Sequence, residues 1–448
     1  MLIDAYKVAH WMNARKLTPE QVAERCGLGP GDIRGMLANG RSSIADDAGV
    51  RLSATLAVDA GQITASGPVD ETAVVMSREE LHATRRPIRR DGIHFYNYYS
   101  MAGASGRVSP VVLDILCPQG RLPALNNGHL EPAITINLGP GDIHGRWGEE
   151  LGEATWQPLH SNRGDEPWIV GDSYVEPAYC PHTYSLASDR PARIISYTAA
   201  SNLTALVEEA NKWSDDAFAA MRRELDDARP AALLGAALSR RGYEGADAAT
   251  AAGLPTAGVA AFLDGDRGAL SIDDLRTLGT TLGFDYRLLV PAARRHDAVG
   301  KTACSVDESR ATVRRFRGYT VASMASAPHL PDLSGLFMHV RRPGRPELDL
   351  RDGRETHYMV VSGTPSLTWR DADGSIAERR LTADATAWLA PYVAHGWSGD
   401  GAVIRLSSGP RLGYLDQFEL TNTFAADATL ARGRRSTTSW GYDGPQGG

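Results

Sequence analysis

The stretch GDSYVEPAYCPH at residues 171–182 sets a carboxylate, Glu176, six positions before an imidazole, His182. An earlier stretch, NNGHLEPAITINLGPGD at 126–142, sets His129 just ahead of a strand-like run. Two histidines and one carboxylate form a donor set that holds Fe(II) on one face and leaves positions open for substrate and oxygen. The carboxylate also offsets the ion's charge, and zinc accepts the same ligands. An even separation lets Glu176 and His182 face the same way in an extended chain, although Pro177 and Pro181 oppose a continuous regular strand between them. Spacing leaves the carboxylate open, because His129 and Glu131 with His182 also make a facial triad. Without a metal, the same histidines read as hydrogen-bonded residues at the mouth of a barrel.

A second group of residues suits anions. The run RRPIRRDGIHFYNYY gathers Arg85, Arg86, Arg89 and Arg90 before aromatic strand residues. Guanidinium groups pair with phosphate-like oxygens, and a tyrosine hydroxyl adds a donor; taken alone, the run is a solvated approach to a strand. Lys16 ends the first helical segment, where a cation complements the helix dipole. VGKT at 299–302 lacks the glycine that a phosphate loop needs five positions before Gly300, and neither HExxH nor GxSxG occurs. Asp142 and His144 in GDIHGRW read as turn residues.

The elements that must position these residues occur twice. Residues 5–60 form short helical segments, AYKVAHWMNARK, TPEQVAERCG, GPGDIRGMLANG and ADDAGVRLSATLAV. Thr18 is placed to cap a helix beginning at Pro19, with Gln21 closing a capping box and Gly27 ending it. Setting Gly27-Leu28 over Gly253-Leu254 superimposes a second helical run on the first and sets Gly242 against Lys16, which points to an internal duplication.

Each helical unit precedes short aromatic and β-branched runs punctuated by Gly, Pro and Asn. In the first half these include GIHFYNYYS, SPVVLDILC, AITINLG, WIVGDSYVEP and ARIISYTA; in the second, YTVASMAS, GLFMHVR, THYMVVSG, PSLTWRD, ATAWLAP and AVIRLSSG. Such runs favour an antiparallel barrel or jelly roll over βαβ units. The second half keeps His357 and His395, but aligning its LAP with VEP sets Ala390 against Glu176. That difference weakens a second metal site and leans toward Glu176 over Glu131 in the first. VEEANKWSDDAFAAMRRELDD reads as one amphipathic helical bridge. The expected plan is α+β: a helical unit at 1–65, a barrel at 66–205, a linker helix and second helical unit at 206–295, a second, degenerate barrel at 296–435 and an irregular tail at 436–448.

Composition narrows the function classes. The 448 residues include 42% hydrophobic and 23% charged types, ordinary for a globular protein. Cys26, Cys117, Cys180 and Cys304 form no CxxC pair, so reduced thiols are expected rather than a disulfide framework. No long apolar run and no secretory leader pattern appear, and a cytoplasmic location is expected. A net charge of −7 opposes general nucleic-acid binding. A helix-turn-helix regulator with sensor barrels is the alternative of a different class. Its first candidate recognition helix carries Asp32 beside Arg34, and TAGVAAFLDGD in the second has no basic residue.

Together, KVAHWMNARK, RRDGIHFYNYY, LPALNNGHLEPAITINLGPGD and SYVEPAYCPHTYSL resemble the 2-hydroxyethylphosphonate dioxygenases, cupin-type non-haem iron phosphonate oxygenases, over nearly the whole chain. The resemblance implies a duplicated arrangement of a helix-turn-helix-like unit followed by a cupin barrel, the double-stranded β-helix. It implies Fe(II) held by His129, Glu176 and His182, and phosphonate contacts from Lys16, Arg90, Tyr98, Asn126 and Ser196. The implied reaction cleaves the carbon–carbon bond of 2-hydroxyethylphosphonate with O2, giving hydroxymethylphosphonate and formate without an organic cosubstrate. Methylphosphonate synthases resemble the same family, and glutamine is associated with their carboxylate-ligand position, so Glu176 favours the dioxygenase. No nucleic-acid or membrane partner is implied, and a homo-oligomer is compatible with the sequence.

Overall fold

The computed structural model describes residues 1–65, 71–90, 92–121, 124–149, 156–199, 202–226, 230–290, 297–330, 332–344, 347–408 and 414–433. The expected tail at 436–448 lies outside them. The chain divides into two compact units, Met1–Glu71 with Arg411–Gly448, and Thr72–Pro410. Among the described residues, no helix is long and apolar enough to cross a membrane.

The first unit opens with β1 (Leu2–Asp4), α1 (Ala5–Ala14), α2 (Pro19–Cys26), α3 (Pro30–Ala38), β2 (Arg41–Ser43) and α4 (Asp46–Leu56), with β1 and β2 antiparallel. Thr18 caps α2 as its sequence dictates: the Gln21 backbone N–H donates to Thr18 Oγ1 at 3.3 Å, and the Thr18 N–H donates to Gln21 Oε1 at 2.9 Å. Gly27 ends the helix in the left-handed region at φ 69°. Ile3, Val8, Val22, Ile33, Leu52 and Leu56 close a small core. The Arg34 guanidinium is bound to the Glu20 carboxylate.

The second unit begins with β3 (Ala73–Met76), α5 (Arg78–Ala83), β4 (Arg86–Arg90), β5 (Ile93–Ser100), β6 (Val111–Ile115) and β7 (Ala133–Pro140). It continues through β8 (Ile143–Trp147), β9 (Trp156–Leu159), β10 (Ser173–Glu176), β11 (His182–Leu186) and β12 (Ala192–Thr198). Six helices follow: α6 (Asn202–Ala210), α7 (Asp215–Asp226), α8 (Pro230–Arg241), α9 (Gly245–Ala252), α10 (Thr256–Leu263) and α11 (Ile272–Leu282). The expected single bridging helix is two, because Ser214 caps α7, its hydroxyl accepting from the Ala217 N–H at 3.3 Å. Gly253 ends α9 at φ 67°, matching Gly27. The final set is β13 (Thr302–Cys304), α12 (Val306–Ala311), β14 (Arg314–Phe316), β15 (Tyr319–Ser323), β16 (Ser334–Arg342) and β17 (Glu355–Gly363), then β18 (Ser366–Arg370), β19 (Ile376–Arg380), β20 (Thr386–Leu389) and β21 (His395–Ser408).

The described strand pairs are antiparallel, and the two sets pair in one order. The first sheet runs β4-β5-β6-β12-β7-β10-β13 and the second β14-β15-β16-β21-β17-β20-β3. A smaller layer, β9-β8-β11, matches β19-β18-β21. The end strands are exchanged: β3, which leads into the first set, pairs with β20 of the second, while β13, which leads into the second, pairs with β10 of the first.

Side-chain alternation explains the layering. Val112, Ile136, Val175 and Ile195 face a core shared with Phe337, Met359 and Ile404 of the second sheet. The intervening Leu113, Tyr174 and Ile194 face the other way, with Phe95, Tyr96, Trp147 and Tyr184. Fully burying each aliphatic side chain contributes roughly 1.5–3 kcal/mol, so the shared core holds the two sheets together. The opposite face holds the polar residues that could do chemistry.

Candidate metal centre

Glu176 ends β10 and His182 begins β11, with the proline-containing turn between them; His129 lies on the loop before β7. One donor atom from each lies within 4.8 Å of the other two, the only such group of three His, Cys, Asp or Glu side chains among the described residues. His129 Nε2 is 3.3 Å from Glu176 Oε1. Glu131 stands outside the group. Its backbone carbonyl instead accepts from His129 Nδ1 at 3.1 Å, and the Cys180 carbonyl accepts from His182 Nδ1 at 3.0 Å. A carbonyl only accepts, so each Nδ1 carries a proton, and Nε2 is the ring nitrogen left for a metal.

Glu176 is 1% exposed, and its Oε1 is buried without a hydrogen-bond partner. Its Oε2 accepts from Trp147 Nε1–H at 2.8 Å. Burial pushes the carboxyl up to about 7, against the pull of His129, Trp147 and Lys301 toward the ionised form. Burial also pushes the His182 imidazole down to about 4 and the neighbouring Cys180 thiol up to about 11. Two imidazoles grouped with a buried carboxylate oxygen that has no partner are the surroundings a divalent cation satisfies. The donor set therefore fits Fe(II).

Beside it is a cavity of about 200 Å³, lined by Arg90, Tyr98, Asn126, His129, His182 and Ser196 among others. Alternation brings them there: Tyr96 and Tyr98 share one face of β5, Val111 and Leu113 one face of β6, and Ile194 and Ser196 one face of β12. Asn126 knits the loop, its Nδ2 donating to His182 Nε2 at 2.9 Å while its Oδ1 accepts from the Gly128 and His182 backbone N–H groups, each at 2.9 Å. Ser196 Oγ accepts from Thr135 Oγ1 at 3.1 Å. Burial raises the Tyr98 phenol, opposed by Arg90 and Arg86.

Lys16 lies in the first unit, just beyond α1, with φ 55° and its Nζ 3.4 Å from Asn13 Oδ1. Gly242, set against it by the sequence, has φ 69°. Asp142 holds the turn expected of it, accepting from the Ser161 N–H at 2.8 Å.

Strand register corrects the comparison with the second half. Leu138 and Val361 are the unpaired residues at matching bulges. Five residues before each, Ala133 pairs with Glu176 and Thr356 with Leu389. Leu389, rather than Ala390, therefore takes the place of Glu176; the prolines of VEP and LAP misled the alignment by one residue. By the same count His357 corresponds to Ile134, and Asp352 takes the place of His129. Arg405 takes the place of Ser196, through the pairs Leu113↔Ile194 and Met338↔Val403. Arg405 pairs with Asp352 at 2.6 Å, and the Tyr358 hydroxyl is 2.8 Å from His395 Nε2. The second half thus pairs Arg405 with Asp352, whereas the first leaves Glu176 Oε1 without a hydrogen-bond partner.

Trp147 and Lys301 had no signal in sequence spacing. In sequence Trp147 follows the turn-like GDIHGR, and Lys301 stands in VGKT, which does not make a phosphate loop. Lys301 is 3% exposed, and its Nζ is 4.7 Å from the Trp147 ring centroid.

Comparison with known proteins gives one consistent likeness. Residues 82–199 match the family described as the 2-hydroxyethylphosphonate dioxygenase cupin-like domain. Over 444 residues, 99% of this chain and 100% of the relative, the sequence is 52% identical to a 2-hydroxyethylphosphonate dioxygenase of Streptomyces viridochromogenes. A solved structure of Phpd with cadmium, complexed with hydroethylphosphonate, is 51% identical with a TM-score of 0.79, covering 97% of this chain and 100% of that one. A tyrosine-to-phenylalanine mutant of hydroxyethylphosphonate dioxygenase is 52% identical with a TM-score of 0.79, over 97% of this chain and 100% of that one.

Proposed function

Because the chain belongs to the 2-hydroxyethylphosphonate dioxygenase family, we propose that the cavity beside His129, Glu176 and His182 is where its substrate meets Fe(II) and O2. The protein is an Fe(II)-dependent oxidoreductase that cleaves the carbon–carbon bond of 2-hydroxyethylphosphonate. The products are hydroxymethylphosphonate and formate. Substrate plus O2 equals these products atom for atom, so the reaction needs no organic cosubstrate. The observation that carries the site assignment is the buried Glu176 carboxylate, its Oε1 without a hydrogen-bond partner, grouped with the imidazoles of His129 and His182 beside a small cavity.

In this reading His129, Glu176 and His182 hold the iron. Bound iron supplies a redox-active Lewis acid that brings substrate oxygens and O2 together. The Arg90 guanidinium pairs with phosphonate oxygens, and Tyr98, Asn126 and Ser196 offer O–H and N–H donors. Val111, Leu113 and Ile194 keep water from the substrate carbons and hold the reacting carbon in place. Lys16 adds a further cation. Supporting that role, it keeps a left-handed conformation that costs roughly 1–2 kcal/mol for a residue with a Cβ.

The finer architecture is likewise a proposal: a helix-turn-helix-like unit and cupin barrel, duplicated, with boundaries at 1–65, 66–205, 206–295 and 296–435 and a tail at 436–448. The shared strand order, the matching bulges and the paired left-handed positions of Gly27 and Gly253 support it. The Arg405–Asp352 pair supports a second barrel that has given up metal binding.

Phosphorus NMR tests the function. Protein loaded anaerobically with Fe(II) receives 2-hydroxyethylphosphonate and then O2. Hydroxymethylphosphonate is expected; methylphosphonate would reassign the chain to the synthase reaction, and unchanged substrate at verified iron occupancy would overturn the reading.

A further inference from the structure

We propose that Lys301, carried on the segment leading into the second half of the chain, is a positioning residue for the metal centre that acts through Trp147 to hold Glu176 as a one-oxygen ligand. This rests on the metal site proposed above.

The strand exchange delivers the residue. β13 pairs with β10 through Ser173↔Cys304, Tyr174↔Ala303 and Val175↔Thr302. Continuing that register by one residue sets Lys301 opposite Glu176. Lysines are almost never fully buried without a reason, because the ammonium gives up strong hydration. Lys301 is nevertheless 3% exposed, with Asp297 3.2 Å from its Nζ and Gln157 accepting from it. These partners offset the desolvation and aim Nζ at aromatic faces, 4.7 Å from the Trp147 centroid and 5.9 Å from that of Tyr174.

A cation over an indole draws on its π electrons and strengthens the ring N–H as a donor. Here that N–H donates to Glu176 Oε2 at 2.8 Å. Oε2 is thereby occupied, and Oε1, 3.3 Å from His129 Nε2, is left to face the cation. One oxygen given to the protein and one to the metal leaves more of the coordination sphere open for substrate and O2 than a two-oxygen carboxylate would. Lys301 also makes completion of the first half's centre depend on a residue more than a hundred positions downstream.

The test uses full-length protein and Co(II) as the probe metal, with affinity and visible absorption measured for wild type, Lys301→Met, Lys301→Arg, Trp147→Phe and the Lys301→Met/Trp147→Phe double variant. Loss of a group that orients a metal ligand typically weakens binding about 10–100-fold. Lys301→Met is expected to weaken Co(II) binding about tenfold and shift its absorption bands, with Lys301→Arg retaining the wild-type spectrum. The double variant is expected to bind no more weakly than Trp147→Phe alone. Wild-type affinity and spectrum in folded Lys301→Met, or fully additive losses in the double variant, would overturn the inference. Should Lys301→Met fail to fold by circular dichroism, Trp147→Phe decides, since wild-type Co(II) binding there removes the link on which Lys301 acts. Weak binding by the wild type itself would overturn the metal-site reading instead.

Discussion

The Asn126 side-chain nitrogen lies 2.9 Å from His182 Nε2, so the amide that is proposed to grip the phosphonate is held by the lone pair that is proposed to grip the metal. Metal at His182 must displace that hydrogen bond and free the amide N–H for substrate. Binding is therefore expected to be ordered, metal first. Calorimetric titration with 2-hydroxyethylphosphonate should give at least about tenfold weaker binding to metal-free than to metal-loaded protein, the scale of one hydrogen bond to a charged group. Equal affinities would remove the coupling.

His129→Ala should abolish tight Fe(II) binding, and Glu176→Gln should weaken it by about tenfold or more, because the amide keeps the shape but loses the charge. Anaerobic iron titration of the folded variants checks both. Unchanged affinity in His129→Ala would exclude that histidine as a ligand.

Metal affinity should rise with pH up to about 7, where burial has placed the Glu176 carboxyl. Below that value the incoming metal must displace its proton, costing close to tenfold in affinity per pH unit toward about 5. His182, pushed down to about 4, is already neutral across this window. For metal-free stability the signs oppose. The raised Glu176 binds excess protons in the folded state between 4.5 and about 7, so its contribution falls as pH rises there. The depressed His182 binds fewer protons in the folded state between about 4 and 6.5, so its contribution grows. Calorimetry in buffers of different ionisation enthalpy should count about one proton released per metal near pH 6 and almost none near pH 8.5.

Lys16→Gly should separate folding from binding. It relieves the left-handed strain at φ 55° and is expected to leave the melting temperature unchanged or raise it, by roughly 0.5–1 kcal/mol of stability. Phosphonate affinity should fall while iron affinity holds. A direct binding assay with wild-type phosphonate affinity would take Lys16 out of the site.

Arg405→Ala leaves Asp352 without its 2.6 Å partner, and both side chains are largely buried. Breaking such a pair from one side costs about 3–5 kcal/mol. A depressed thermal midpoint with Co(II) still bound by the first half is the expected result; an unshifted midpoint would show that the pair contributes little.

Local signals were legible and long-range ones were not. The Thr18 capping box and the glycine after it are written within ten residues, and the folded chain forms both. The alternation that aims Tyr98 and Ser196 into one cavity is likewise local. Glu131 competed with Glu176 because spacing cannot distinguish a side-chain carboxylate from a backbone carbonyl, which is what Glu131 offers to His129. Matching the prolines of VEP and LAP sets Ala390 against Glu176, whereas hydrogen-bonded register, which fixes position, sets Leu389 there. His357 looked like a retained ligand until the bulge at Val361 placed it against Ile134. Lys301 was invisible because its meaning depends on β13 pairing with β10, a contact that no local pattern encodes.

The exchanged strands also set a timetable. A nascent chain that has finished β10 at Glu176 must add 128 further residues before Cys304 completes the strand that covers its edge. At about 5–20 residues per second, translation leaves that edge open for roughly 6–26 seconds. An open strand edge is a template for pairing with another chain. Polysomes making this protein thus carry a crowd of identical, half-covered sheets, and slow codons between 177 and 304 would prolong the interval in which they can find one another.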